Sequence, residues 1–311
     1  MSWPAALEGE SLSLSVIFEL EEGAGPLTRR AIVKNTTPTQ LLLFLALSLT
    51  PFVKSQAAAT VSHGVDSHAS LSAQSYPLGG MLTGAIGYGQ KIWSAESNSA
   101  DRVDIGDSSE SPDWHYGYLR PAFELKTTAV TNRLTGALEF YPISIFGLSA
   151  GGGADLSHYN HFTGIDCSRV TCGGTLMFQF FQAKLIGGIG KLIFTATARY
   201  DSYYTREATH SFYDYMSYLI GQPGHDDLKS LTLLSLYRLN DTWSLGGVGI
   251  FQQMVLSHGN NSEVFVVGNY TRGPWQLSMG FGDFHSDHQP LKPAALMLLT
   301  YTFNKSVGLL P

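Results

Sequence analysis

Charge is scarce in this chain of 311 residues: Asp, Glu, Lys and Arg together make up 14% of it, against roughly a quarter in soluble domains. Basic residues are outnumbered by acidic ones, 19 to 25, and no cluster of them could neutralise several phosphates, which excludes nucleic acid as a partner. There are two cysteines, so neither a disulfide-dense scaffold nor a thiol metal centre is available. Cys167 and Cys172 lie within one polar segment, and in an exported chain that spacing reads as a small disulfide-closed loop. A closure so short removes little chain entropy, so it shapes a loop instead of holding a fold. The most prominent apolar run, Leu41 to Val53, falls short of the roughly 20 residues a membrane-spanning helix needs. Helical periodicity is missing as well, apart from one short segment with helical character at Ser211 to Ile220.

That apolar run is followed by Lys54-Ser-Gln-Ala-Ala-Ala59, and together they read as the core and small-residue cleavage site of a secretory signal. The residues ahead of it begin acidic (Glu8, Glu10, Glu19, Glu21, Glu22) and turn basic only at Arg29, Arg30 and Lys34. A start at Leu27 or Val33 would give a signal of ordinary length. The residues after Arg29-Arg30 do not extend the pair into a twin-arginine signal. The expected division is an N-terminal extension and cleaved signal over 1–59, a flexible periplasmic lead-in over 60–80, one structured domain over 81–303 and a tail over 304–311.

From Met81 onward the hydrophobic period is two, the period of a strand with unlike faces. Leu82, Gly84, Ile86, Tyr88 and Ile92 alternate with Thr83, Ala85, Gly87, Gly89 and Lys91. The same alternation runs through Phe146 to Leu156, Leu192 to Asp201 and Trp275 to Phe281, whereas Leu231 to Leu239 carries apolar residues on both parities. Tight turns are expected at Tyr141–Ser144, Gly187–Gly190, Leu239–Thr242 and Gly273–Pro274. Longer polar connections fall near 96–113, 159–173, 204–227 and 285–293, with a shorter one at Gly259–Ser262, so short and long alternate along the chain. About ten strands result if Tyr116 to Phe140 is one strand with a bulge at Thr131-Asn132, where its parity slips. If a turn lies there, the count is eleven, and a twelfth strand must come from the lead-in.

Alternating strands, short turns on one side and long loops on the other resemble the bacterial outer-membrane β-barrels. The last strand, with Met297, Leu299, Tyr301 and Phe303 in alternation, resembles the C-terminal signature of that class, although eight residues follow it. The resemblance covers 81–303 and is one of architecture. It implies an all-β fold, a single antiparallel transmembrane barrel, placed in the outer membrane with lipid, lipopolysaccharide and the barrel-insertion machinery as partners. No cofactor is implied.

Several residues could carry chemistry. Asp283 and His285 match the Asp-x-His spacing of omptin proteases; Asp287 and His288 follow them, and Asp201, Asp226 and Asp227 are acids that could lie near. Ser257 and His258 supply the residue types of outer-membrane lipid hydrolases, in which an imidazole activates a hydroxyl. His285, His288 and Asp287, joined by His158 or His161, could ligate a metal, but no metal site is assigned. Lys91, Lys126, Glu139, Asp155, Arg199, Asp201 and Arg238 fall on the inward parity, where opposite charges would pair across a filled interior. Trp93, Trp114, Tyr116 and Tyr118 read as part of an aromatic girdle. The expected function is a non-catalytic outer-membrane role, structural or at the surface, or passage of small solutes. An outer-membrane hydrolase and a soluble secreted β-protein are the rivals.

Overall fold

The computed structural model describes residues 15–17, 32–34, 63–94, 116–158, 165–206, 209–287 and 289–304. Within residues 1–52, Ser15–Ile17 pairs antiparallel with Ile32–Lys34. The segment read as a signal and the tail beyond Asn304 lie outside the described residues, as do Trp114, His161 and His288.

The remaining chain is one closed ring of twelve antiparallel strands, each bonded to its neighbours in sequence. They are β1 (His63–Ser75), β2 (Leu78–Ser94), β3 (Tyr116–Thr128), β4 (Thr131–Ile143), β5 (Phe146–Ser157) and β6 (Gly174–Ile189). β7 (Leu192–Thr205), β8 (His225–Arg238), β9 (Trp243–Met254), β10 (Asn260–Arg272), β11 (Trp275–Ser286) and β12 (Gln289–Asn304) follow. β12 closes on β1 with Leu296 opposite Gln74 and Tyr301 opposite Ala69.

The outward parity is apolar on strand after strand. Leu82, Ile86, Phe123, Leu134, Phe181, Val266 and Phe281 are each more than half exposed. In water every such side chain would forgo about half of the roughly 1.5–3 kcal/mol that full burial provides; against acyl chains it forgoes nothing. No helix of the described residues is long and apolar enough to cross a membrane, and closed strands satisfy the same requirement by another route. Near the end where His63 and Asn304 lie, rings pair on the outer face: Trp243 with Tyr270 at 4.9 Å, Trp275 with Tyr301 at 4.6 Å, and Tyr301 with Phe303 at 4.8 Å.

The count is twelve, the second of the two readings the sequence allowed, for two reasons. The slip near Thr131 is a turn at Ala129–Val130 and not a bulge: the Thr128 hydroxyl accepts hydrogen bonds from the amides of Val130 (3.2 Å) and Thr131 (2.9 Å), a side-chain substitute for a glycine turn. The lead-in is also no flexible tether, since His63–Ser75 is β1. Its outward face carries only Val65 and Leu71 as large apolar groups, which is why its period is faint. The two added segments reverse the sense of one connection. The stretch 95–115 joins strands at the end where His63 and Asn304 lie, called here the terminal end, together with the turns at 144–145, 190–191, 239–242 and 273–274. The opposite end, called here the loop end, holds 158–173, 206–224 and 255–259 but also the two-residue links 76–77, 129–130 and 287–288. Short and long connections therefore do not alternate strictly, and the expected long connection at 285–293 is a tight turn.

The expected helix at Ser211 to Ile220 is a hairpin. Ser211–Asp214 pairs antiparallel with Leu219–Gly221 and parallel with Val170–Thr171, forming a three-stranded sheet from two loops. Leu231 to Leu239 is apolar on both parities because Leu234 and Leu236 point inward against Phe265, Val267 and Phe284 while Leu233 and Tyr237 point out.

Candidate functional site: a filled and capped bore

Strand parity sends the charged residues inward, and each must find a partner there, because an unpaired buried charge is costly. At the terminal end Arg120 of β3 donates Nε to Asp66 Oδ2 at 2.8 Å and Nη1 to Glu139 Oε1 at 2.9 Å. Asp66 is fully buried. Opposite the guanidinium stands Gly87, where a Cβ would lie 2.5 Å from Arg120 Cζ, so only glycine leaves room for the fork. Beside this group the rings of Tyr118 and Tyr141 stack at 4.3 Å and 12°, and Lys91 Nζ sits 4.6 Å above the ring of Tyr116. Tyr116 and Tyr118 are thus buried bore residues and not part of the girdle; they share the inward parity of Arg120. Trp93 is exposed.

Toward the loop end a second group forms around Arg133. Its Nε donates to Asp155 Oδ1 at 2.6 Å, and Nη2 reaches Asp214 Oδ1 at 3.2 Å and Tyr203 Oη at 3.2 Å. The guanidinium lies 4.7 Å above Phe178, and that of Arg199 lies 3.9 Å above Phe180 while bonding Asp201 at 2.9 Å. Lys126 pairs with Glu124 at 2.9 Å. Arg238, at the turn end of β8, is exposed.

Asp214 belongs to the loop hairpin, which enters the mouth of the barrel. Phe212 and Leu219 are buried with Leu176, Phe178, Tyr203, Leu228 and Met254. Tyr218, at φ 58°, sets its ring edge-on to Phe284 at 5.6 Å. The fully buried Asp226 fastens the hairpin, accepting hydrogen bonds from the amides of Gln222 (3.1 Å), Asp227 (2.8 Å), Leu256 (2.9 Å) and Ser257 (3.1 Å). Asn261 Nδ2 donates to the Ser217 carbonyl at 2.8 Å and Ser257 Oγ to that of Ile220 at 2.7 Å. Burial pushes the phenols of Tyr213 and Tyr218 well up from their ordinary value, with neighbouring tyrosines and carboxylates adding to the effect. The disulfide Cys167–Cys172 closes the companion loop that carries Val170–Thr171.

Below this cap the bore holds a chamber of about 360 Å³ bounded by β1, β2, β3, β9, β10 and β12, with Glu263, Gln74, Ser70 and Ser72 on its wall. Periodicity points each of these residues inward but says nothing of a chamber, because its roof is supplied by a loop.

The residues proposed for catalysis are not brought together. Asp283 and His285 lie on the exposed parity of β11, opposite Val264 and Ser262, while their neighbours Phe284 and Ser286 face the bore. Asp201 pairs with Arg199 inside, Asp226 caps loop amides, and Asp227 accepts from Tyr200 and Ser202 at 2.6 and 2.7 Å on the outside. Asp287 accepts from the amide of Asn260 at 2.6 Å. Ser257 is committed to Ile220, and His258 occupies a left-handed turn position at φ 61°. Among the described residues no three His, Cys, Asp or Glu side chains converge as a metal site would require.

No protein-family model and no curated protein matches this chain. Solved structures do. An outer membrane channel from Pseudomonas putida F1 aligns over 82% of this chain and 100% of its own, at 11% identity and a TM-score of 0.44. The NanC porin (9% identity, TM-score 0.40) and the KdgM porin (11%, 0.39) each align over 78% of this chain and 100% of their own. The structures to which the chain is similar are thus outer-membrane β-barrels.

Proposed function

We propose that this chain is an integral barrel of the bacterial outer membrane, exported through a cleaved signal, whose bore is shut at rest. Small polar solutes pass when the hairpin 209–224 withdraws from the mouth. The observation that carries this reading is the hairpin itself: Phe212 and Leu219 are buried inside the ring and Asp214 is tied to Arg133. A surface loop with no task in the bore has no reason to place a carboxylate on an interior arginine. The apolar outer wall supports the membrane placement, and the first and last barrel residues, His63 and Asn304, lie at one end, which for bacterial barrels is the periplasmic one. Lipid and lipopolysaccharide are its partners on this reading, with the barrel-insertion machinery acting during assembly.

Planar bilayers test it. Wild-type protein should give little steady conductance, whereas a variant lacking residues 209–222 should give discrete channel steps. Large open channels from the wild type would overturn the closed resting state. Silence from both proteins would overturn passage and leave a structural role.

A further inference from the structure

The acidic groups of the bore are met by cations or backbone amides, with one conspicuous departure. Asp66 and Glu139 share Arg120, Asp155 and Asp214 share Arg133, Asp201 holds Arg199, Glu124 holds Lys126, and Asp226 is capped by amides. Glu263 of β10 is 8% exposed and makes no ion pair with any described residue. Among the described residues its carboxylate has neutral neighbours: Gln74 Nε2 at 3.5 Å, the side chain of Asn261, and the phenol of Tyr218. The Gln74 amide gives its better bond, 2.8 Å, to the Tyr76 carbonyl. Asn261, two residues away on the same strand face, buries an Oδ1 that has no donor.

Glu263 also lines the chamber of about 360 Å³, so this carboxylate faces space and not packed atoms. The rest of the wall is divided. Ser70, Ser72 and Thr128 offer hydroxyl oxygens, while Ile250, Leu296 and Leu298 are apolar. Tyr215 and Tyr218 form the roof, and Gly79 admits them, since a Cβ there would lie 3.3 Å from Tyr218 Oη. A bare metal ion would want several oxygens converging on a point and would gain nothing from an aliphatic and aromatic wall. An ammonium group attached to an apolar body uses every part: the head meets the carboxylate and the phenol faces, and the body meets the aliphatic side.

We propose that the chamber is a binding site for a compact organic ammonium ion, with Glu263 as its counter-ion. This names the class of solute for the bore described above and rests on that reading only for passage, not for binding.

The probe is 2-phenylethylamine, titrated by calorimetry into folded protein in detergent at pH 7, with 2-phenylethanol as its uncharged counterpart. Saturable one-to-one binding of the amine is expected, and none of the alcohol. Glu263→Gln, folded as judged by heat-modifiable migration on a gel, should bind the amine at least roughly tenfold more weakly, as loss of a charge-assisted hydrogen bond requires. If that variant does not fold, Ser72→Tyr fills the chamber without touching the carboxylate and should abolish binding. Equal affinity in wild type and variant, or no saturable binding, overturns the proposal. So does competition by sodium at concentrations equal to the amine, which would mark a site for inorganic ions. Because binding is read without a bilayer, a wild type that conducts freely yet binds the amine would sink the closed-bore reading and leave this one standing.

Discussion

Arg120 shows what a buried charge demands of its neighbours. It is held by two carboxylates, and Gly87 is kept free of a Cβ to admit it. Replacing it by methionine leaves Asp66, with no exposure at all, uncompensated in the bore. The expected loss is about 3–5 kcal/mol, read as an earlier midpoint in urea unfolding from detergent or lipid. Adding Asp66→Asn should recover much of that loss, since the pair is then removed together. The inward parity of Glu139, Asp155, Arg199 and Asp201 was legible from the alternation alone. The partners of Glu139 and Asp155 were not, because Arg120 and Arg133 sit on either side of the slip near Thr131, where the parity of both stretches was obscured. The aromatic residues misled for a related reason: tyrosine serves equally well in a girdle or over a buried cation, and nothing in Tyr116-Gly-Tyr118 states which.

Among the elements, the hairpin 209–224 is the part that sequence reasoning missed most. Its apolar and aromatic residues follow a spacing that resembles a helical turn, and only burial of Phe212 and Leu219 inside the ring explains them as a cap. Two expectations belong to it. Asp226→Ala removes the acceptor of four backbone amides and should loosen the cap by at least about 2 kcal/mol. Faster proteolysis within 206–224, at an unchanged unfolding midpoint of the barrel, would register it. The second concerns pH. The phenols of Tyr213 and Tyr218 are raised by burial, so what their packing contributes is complete below the ordinary phenol value of about 10 and is lost as pH climbs past it. Channel activity should accordingly rise on the alkaline side of pH 10. In the double variant Tyr213→Phe, Tyr218→Phe that rise should vanish; a rise of the same size would detach it from these two residues.

On the scale of the whole molecule, the ring closes only because His63–Ser75 supplies its twelfth strand. That segment reads as a small polar tether, and its role becomes visible only where Leu299 meets Leu71 and Met297 meets Ala73. Deleting 63–75 leaves eleven strands, an odd number that puts the start of β2 and the end of β12 on opposite sides, with β12 bare along one edge. Such a chain should show no heat-modifiable band and no resistance to urea in lipid; a folded band would mean that β12 can pair directly with β2. The polar content of the bore and the apolar wall around it were both legible early, because period-two alternation is set by strand geometry and not by context. The turn at Ala129–Val130 was legible only as the alternative to a bulge, because a threonine hydroxyl does there what a glycine usually announces.

Pairing of the first strand with the last has a temporal side. The partners Gln74 and Leu296 lie on the first and last strands of the ring, so the seam cannot form before the last strand is present. Until then the sheet has two open margins whose amides and carbonyls hydrocarbon cannot satisfy. Assembly of this wall inside a bilayer is therefore expected to need some provisional occupant of those margins, released when the first and last strands pair.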